Sequence, residues 1–153
     1  MADTDWDDEE QPPPKPPFAD LPPPPPDVLP SGEVYDWYQR GVTLLDNGDL
    51  HAAVEVLTRA SNAVPESRSV LEALARAQFD AGMYAEAKVS FTRIVEINPA
   101  DDYAQFGLGL AAARVDDLDT AIEHLALAAA MRPDVAHYAT ALRGARATKA
   151  SRR

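Results

Sequence analysis

Residues 84–99 read YAEAKVSFTRIVEINP, a run with apolar residues at helical spacing that closes on a proline. Residues 50–65, LHAAVEVLTRASNAVP, and residues 118–133, LDTAIEHLALAAAMRP, place a small residue, a bulky apolar residue and a proline at the same three positions. The spacing is 34 residues each time. An exact period shared by several residue types predicts a repeated structural unit. The equivalent residues are Ala53, Ala87 and Ala121; Leu57, Phe91 and Leu125; and Pro65, Pro99 and Pro133.

Each period divides into two helices, A and B, joined by a tight turn. Gly48 and Gly82 supply the left-handed backbone that stops helix A, and Asp116 takes that place in the third unit. Each closing proline prevents helix B from continuing. Residues 134–150 lack a partner helix and are predicted to cap the stack, leaving 151–153 as a basic tail. Helix A is expected over residues 33–46, 67–80 and 101–115, and helix B over residues 49–63, 84–97 and 117–131.

Small residues are expected where the two helices of a unit meet. Gly41, Ala75 and Gly109 recur on the A helices at the same period, opposite the repeated alanines of the B helices. Small side chains let the two helices approach closely. A single unit cannot bury its apolar stripe alone, so the units are expected to stack into one continuous core.

Further residues at these positions complete a known pattern: Trp37, Ala60, Leu74, Ile94, Leu108 and Ala128. Together with the residues above they resemble the tetratricopeptide repeat family, with its W-x2-L-G-x2-Y and A-x3-F elements and closing proline. Arg40 departs from the expected Leu, and Leu44, Gln78 and Ala112 depart from the expected Tyr. The resemblance covers residues 34–133. It implies an all-α, right-handed helical solenoid over residues 32–150, with three helix-turn-helix repeats and a capping helix. The repeats are about 34–67, 68–101 and 102–135.

Residues 1–31 differ in composition from the rest. They hold eleven of the 14 prolines and eight acidic residues against Lys15 alone. Proline lacks the amide proton that helices need, and few apolar side chains remain to offset ordering entropy, so a disordered acidic, proline-rich arm is predicted. This arm is either a solubilising tail or a docking peptide. A further hypothesis is that it occupies the groove of the solenoid, or the basic cap, and competes with an outside partner.

The family resemblance implies that the A helices line a concave groove, whose positions are mainly aromatic and apolar. Aromatic residues and arginine are enriched in protein interfaces, although several of these rings could instead pack between neighbouring helices. The predicted partner-binding positions are Tyr35, Tyr38, Val42, Glu72, Arg76, Phe79, Tyr103, Phe106 and Leu110.

One class within the family grips the C-terminal carboxylate of chaperone partners with Lys, Asn and Arg on its A helices. The matching positions here are Tyr38, Val42, Ala73, Tyr103 and Gly107. Among these side chains only the tyrosine hydroxyls can donate to a carboxylate, which argues against a chaperone tail. The leading prediction is a protein-interaction module or adaptor that binds a polypeptide segment in its groove. The alternatives are a structural homo-oligomer and a regulatory subunit of an enzyme complex.

Composition and motifs narrow the remaining classes. The net charge of −11 disfavours nucleic acid and anionic membranes, and the absence of cysteine and of a signal segment suits the cytoplasm. Neither the histidines nor Asp116, Asp117 and Asp119 form a metal-binding pattern, and no nucleophile has an evident base, so neither an enzyme nor a cofactor is expected. The basic residues near the C-terminus complement the dipole of the last helix or contact the acidic arm.

Overall fold

The computed structural model describes Pro17 and Phe18 together with residues 32–152, and within these residues it contains seven α-helices and no strand. Consecutive helices pack against each other, and the A-type helices α1 and α3 are also in contact. The predicted all-α solenoid is therefore confirmed. The helices are α1 (Gly32–Asp46), α2 (Leu50–Ala63), α3 (Arg68–Asp80), α4 (Tyr84–Ile97), α5 (Asp102–Arg114), α6 (Leu118–Met131) and α7 (Ala136–Ser151).

Five observed helix starts differ from the predicted ones by one residue, and at three of them, α3, α5 and α6, a polar side chain caps the helix instead of beginning it. The side chains of Ser67, Asp101 and Asp117 accept hydrogen bonds from backbone N–H groups three residues later, at 3.4, 3.0 and 3.3 Å. Helix α7 begins two residues later than predicted, since Asp134 pairs with Arg132 before the helix, at 2.8 Å. It continues to Ser151, into the predicted basic tail.

The turns within the repeats have the predicted conformation. Gly48 and Gly82 have φ values of 82° and 80°, and Asp116 has a φ of 66°. Glycine adopts this left-handed conformation without steric cost, and aspartate tolerates it better than most residues. These turns reverse the chain so that helix B packs back along helix A.

Close packing within each repeat depends on the predicted small residues. A Cβ atom added to Gly41 would lie 2.4 Å from Leu57 Cγ, and one added to Gly109 would lie 2.6 Å from Leu125 Cγ. Ala75, at the same position of the middle repeat, is fully buried. The prediction that small residues allow helices A and B to approach is confirmed at these positions.

Polar pairs join successive repeats at their edges. Arg68 pairs with Asp101, and Lys88 Nζ lies 3.0 Å from Asp117 Oδ2. The Tyr138 hydroxyl, on α7, donates to Asp102 Oδ2 at 2.7 Å. These contacts join the second repeat to the third and the third to the cap.

Two of the described cations near the C-terminal end of α7 pair with acids in the first turn of α6 or just before it. Lys149 pairs with Asp119, and Arg152 pairs with Asp116. These partners lie within the solenoid, and they are neither the helix dipole nor the acidic arm that the sequence analysis considered for the basic end. The acidic residues of the arm lie outside the described residues. Within the described part of the chain, no helix is long and apolar enough for a bilayer crossing.

Candidate partner-binding groove

Four aromatic side chains from three helices meet on the side of the stack formed by the A-type helices α3 and α5. Phe79 lies in the last turn of α3, and Phe91 lies on α4. Tyr103 and Phe106 are three residues apart on α5, so they share one face of that helix. All four side chains are buried. We call Phe79, Phe91, Tyr103 and Phe106 the ring pocket.

The ring pocket is filled by a side chain from the N-terminal arm. The ring of Phe18 lies 5.4 Å from Phe79, 5.7 Å from Phe91, 5.4 Å from Tyr103 and 6.0 Å from Phe106, measured between ring centroids. The contacts with Phe79 and Phe106 are edge-to-face, an arrangement that aromatic pairs favour. Phe18 is only 4% exposed and belongs to the main hydrophobic core.

A glycine on α5 makes the position of Phe91 possible. A Cβ atom on Gly107 would lie 2.3 Å from Phe91 Cε1, far inside van der Waals contact. With no side chain at this position, the Phe91 ring can lie against the α5 backbone and reach Phe18. Gly107 therefore shapes the pocket through the position of the Phe91 ring.

The polar side of the pocket is formed by Glu72, Arg76 and Tyr103. The Tyr103 side chain lies beside the Glu72 carboxylate, and Arg76 Nη1 lies 3.7 Å from Glu72 Oε1. Glu72 Oε1 and Arg76 Nε are buried and have no hydrogen-bond partner among the residues that the structure describes. Burial raises the pKa of Glu72 above its usual range, and the charge of Arg76 only partly offsets this effect. Burial and the nearby Glu72 carboxylate also raise the pKa of Tyr103.

Acidic residues outnumber cations around Arg76. Asp46 and Asp80 act on its charge in addition to Glu72. Asp80 is half-buried, and this burial raises the pKa of its carboxylate. Arg114 lies over the Phe79 ring at 5.4 Å, measured from its Cζ atom to the ring centroid. The rim of the pocket thus carries Arg114 on one side and more acids than cations around Arg76.

The raised pKa of Glu72 predicts a pH effect on stability. In the window above its unfolded value of 4.5, the folded protein holds more protons at this carboxyl than the unfolded chain does. This contribution therefore falls as pH rises through the window. We expect Glu72→Gln to gain stability relative to the wild type as pH rises from acid to neutral, in urea unfolding at several pH values. Parallel stability curves for the two proteins would contradict the assignment.

The predicted partner-binding positions divide into two groups. Phe79, Tyr103, Phe106, Glu72 and Arg76 surround Phe18 or its polar neighbours. The others lie apart: Tyr35 accepts a hydrogen bond from Gln39, Tyr38 and Val42 pack on the core of the first repeat, and Leu110 packs half-buried on the main core. For both groups, a role in binding a partner stays a prediction.

Phe18 and Phe91 were not among the predicted positions. Phe18 lies in the arm, which was predicted to be disordered; apart from Pro17 and Phe18, the arm lies outside the described residues. Phe91 matched a core position of the repeat. One signal could have found them, because the chain contains only four phenylalanines and all four meet here.

The histidines have structural or surface positions. His124 Nδ1 lies 2.6 Å from the Oε1 atom of Gln105, whose Nε2 donates to the Pro99 carbonyl at 3.0 Å. His51 and His137 are exposed. Among the described residues, no three His, Asp or Glu side chains are grouped as a metal site.

Residues 44–105 match the family model described as Tetratricopeptide repeat, and this segment contains the first two turns and the start of the third repeat. Residues 44–105 therefore have the tetratricopeptide repeat (TPR) pattern, and the solenoid has the TPR fold. No match was found among the curated proteins. In this TPR domain, Gln78 stands where the family has tyrosine, and its Oε1 atom accepts a buried hydrogen bond from Ser90 Oγ at 2.6 Å.

Several solved structures share the fold of the TPR domain. The first TPR of Spaghetti (RPAP3), bound to the HSP90 peptide SRMEEVD, has a TM-score of 0.73 at 19% identity, over 80% of this chain and 97% of that chain. MamA 41-end from Desulfovibrio magneticus RS-1 has a TM-score of 0.74 at 25% identity, over 76% of this chain and 66% of that chain. The first TPR domain of human RPAP3 gives 0.70 at 19% identity, over 77% and 93%.

Proposed function

We propose that this TPR domain binds a polypeptide segment of another protein and that an aromatic side chain of that segment occupies the ring pocket. The observation that carries the proposal is Phe18, a residue outside the helices whose ring is buried among four others. The pocket therefore has the size and chemistry to take an aromatic side chain from a peptide. Aromatic anchors in desolvated pockets dominate the energy of many protein interfaces.

The polar residues beside the pocket suit a peptide backbone. Glu72 Oε1 and Arg76 Nε are a buried acceptor and a buried donor without hydrogen-bond partners in the described part of the chain. An extended segment carries both N–H and C=O groups and could satisfy both atoms, which burial otherwise makes costly. The pocket thus offers one site for an apolar anchor and two polar contacts, on neighbouring turns of α3.

The same residues favour a ligand other than an acidic chaperone tail. The structure of the first TPR of Spaghetti (RPAP3) contains the peptide SRMEEVD. Here the positions that match the family's carboxylate clamp carry no cation, and Arg76 is already surrounded by acids. We propose instead a non-catalytic cytoplasmic adaptor whose partner is a protein and not a nucleic acid, in keeping with the net charge of −11.

Variants of the ring pocket test this function in capture experiments with the full chain. Phe79→Leu and Phe106→Leu keep an apolar side chain but remove a ring from the pocket. We expect both to lose proteins that the wild type enriches from host lysate, by about tenfold, because ring anchors contribute ~1–3 kcal/mol. Quantitative mass spectrometry of the captured proteins measures the loss, and a thermal melt of each variant checks its folding.

Val89→Ala is the matched control, because Val89 is 61% exposed on α4 beside Lys88 and Thr92 and away from the ring pocket. It should retain the same partners. Partners that survive both ring variants but are lost with Val89→Ala would place the binding site on the other surface and reject the proposal.

A further inference from the structure

The arm and the body that holds Phe18 have charges of the same sign. Residues 1–31 carry eight acids and one base, and residues 32–133 carry sixteen acids and eight bases. Long-range electrostatics therefore oppose binding of the acidic arm, and Phe18 is held by apolar ring contacts with the four residues of the ring pocket. The arm therefore supplies an apolar anchor, Phe18, but its net negative charge is repelled by the acidic body.

The immediate surroundings of the pocket have the same bias. Asp46, Glu72 and Asp80 act on the charge of Arg76, and Arg114 is a second cation at the rim, over the Phe79 ring, so the acids outnumber these cations by three to two. Arg68, the next cation along α3, is already paired with Asp101. A ligand with the same aromatic anchor but with basic neighbours would gain attraction where the acidic arm meets repulsion.

We propose that the partner segment of the ring pocket is basic and carries an aromatic residue, and that Phe18 is a self-ligand which this segment must displace. The inference rests on the proposed function and names the chemistry of the partner. Because Phe18 fills the pocket, the protein binds the partner only in the fraction of molecules whose pocket is open, and the apparent affinity is reduced by that fraction.

Peptides derived from the arm provide matched probes. Residues 12–22, PPPKPPFADLP, contain Phe18 with one base and one acid, so their net charge is zero. Lys15→Glu in this peptide gives a net charge of −2, and Asp20→Lys gives +2. Each peptide, labelled and blocked at its ends, is titrated by fluorescence anisotropy into full-length wild-type protein and into full-length Phe18→Ala at low and high salt.

We expect Phe18→Ala to bind the basic peptide about tenfold more tightly than the wild type does, which corresponds to a pocket occupied in about nine of ten wild-type molecules. In Phe18→Ala at low salt, the basic peptide should bind about tenfold more tightly than the acidic one. High salt should reduce this difference, since exposed charges are screened. Replacing the phenylalanine of the peptide by alanine should remove most of the binding.

The outcomes separate the two proposals. Absence of binding by every phenylalanine peptide to both proteins would reject the proposed function itself. Equal affinity of wild type and Phe18→Ala would reject the self-ligand while leaving the function intact. Equal affinity for the acidic and basic peptides would reject the basic partner.

Two further variants of the full-length protein control for the ring itself and for the loss of any aromatic residue of the arm. Phe18→Leu keeps an apolar anchor and should give an intermediate affinity if the ring contacts matter. Trp6→Ala removes a different aromatic residue of the arm and should behave like the wild type. Light scattering completes the set, because a wild-type dimer that becomes monomeric in Phe18→Ala would show that Phe18 enters a second copy, contrary to self-occupancy.

Discussion

Replacing Ala87 by glutamate is expected to lower the free energy of unfolding by about 3–5 kcal/mol. Ala87 is 0% exposed and lies in the main hydrophobic core on α4. The longer side chain needs space that the close approach of helices does not provide, and its carboxylate would be buried without a partner. Urea unfolding followed by circular dichroism measures the loss.

Ala85→Glu is the matched control, since Ala85 lies on the same helix but is exposed. Its effect should stay within about 0.5 kcal/mol, the usual range for surface substitutions. Equal losses in the two variants would mean that the helix itself tolerates glutamate poorly, and would contradict the buried position of Ala87.

Replacing Gly107 by alanine should destabilise the protein by about 1–3 kcal/mol, because overfilling a packed core forces neighbours to move. The added Cβ would lie 2.3 Å from Phe91 Cε1 in a region that has no free space, since Phe91 is fully buried. The displaced ring would also disturb the contact between Phe91 and Phe18, so Gly107→Ala should weaken peptide binding as well. Thermal melts and the peptide titration measure the two effects.

Gly144→Ala is the matched control, for which we expect the opposite change in stability. Gly144 lies in the middle of α7, is exposed, and has no atom within 4 Å of the position where a Cβ would be. The same substitution should therefore stabilise the protein by up to about 1 kcal/mol through helix propensity. A destabilised Gly144→Ala together with a neutral Gly107→Ala would show that the roles of the two glycines are reversed.

The repeat period predicted most of the fold because it reflects contacts between neighbouring units. Ala53, Ala87 and Ala121 recur at fixed spacing since each meets the same environment, and all three are fully buried. The turn residues could also be predicted from the sequence, because a left-handed backbone restricts the choice of residue. Most helix starts were predicted to within one residue only, since the same residue types occur as the capping residue and as the first residue of a helix.

The contents of the ring pocket could not be predicted from the period, because they depend on a residue outside the repeats. Phe18 lies in a segment whose composition indicated disorder, and a single buried ring does not change that composition. The sequence analysis named Gly107 only as a position that matches the family's carboxylate clamp. Its role follows from Phe91, sixteen positions earlier on another helix, and only the packing of α4 on α5 relates the two.

The four phenylalanines of the chain meet at one place, and this makes them a natural magnetic reporter. Circulating π-electrons of an aromatic ring shift the resonance frequencies of nearby nuclei, and the shift depends on ring distance and tilt. Isotope labelling of phenylalanine alone would give four ring signals, each from a member of the cluster. The centroids of Phe106 and Tyr138 are 4.8 Å apart, so labelled tyrosine would extend the reporter to α7. Seating and release of Phe18 can therefore be followed in solution without introducing a foreign probe.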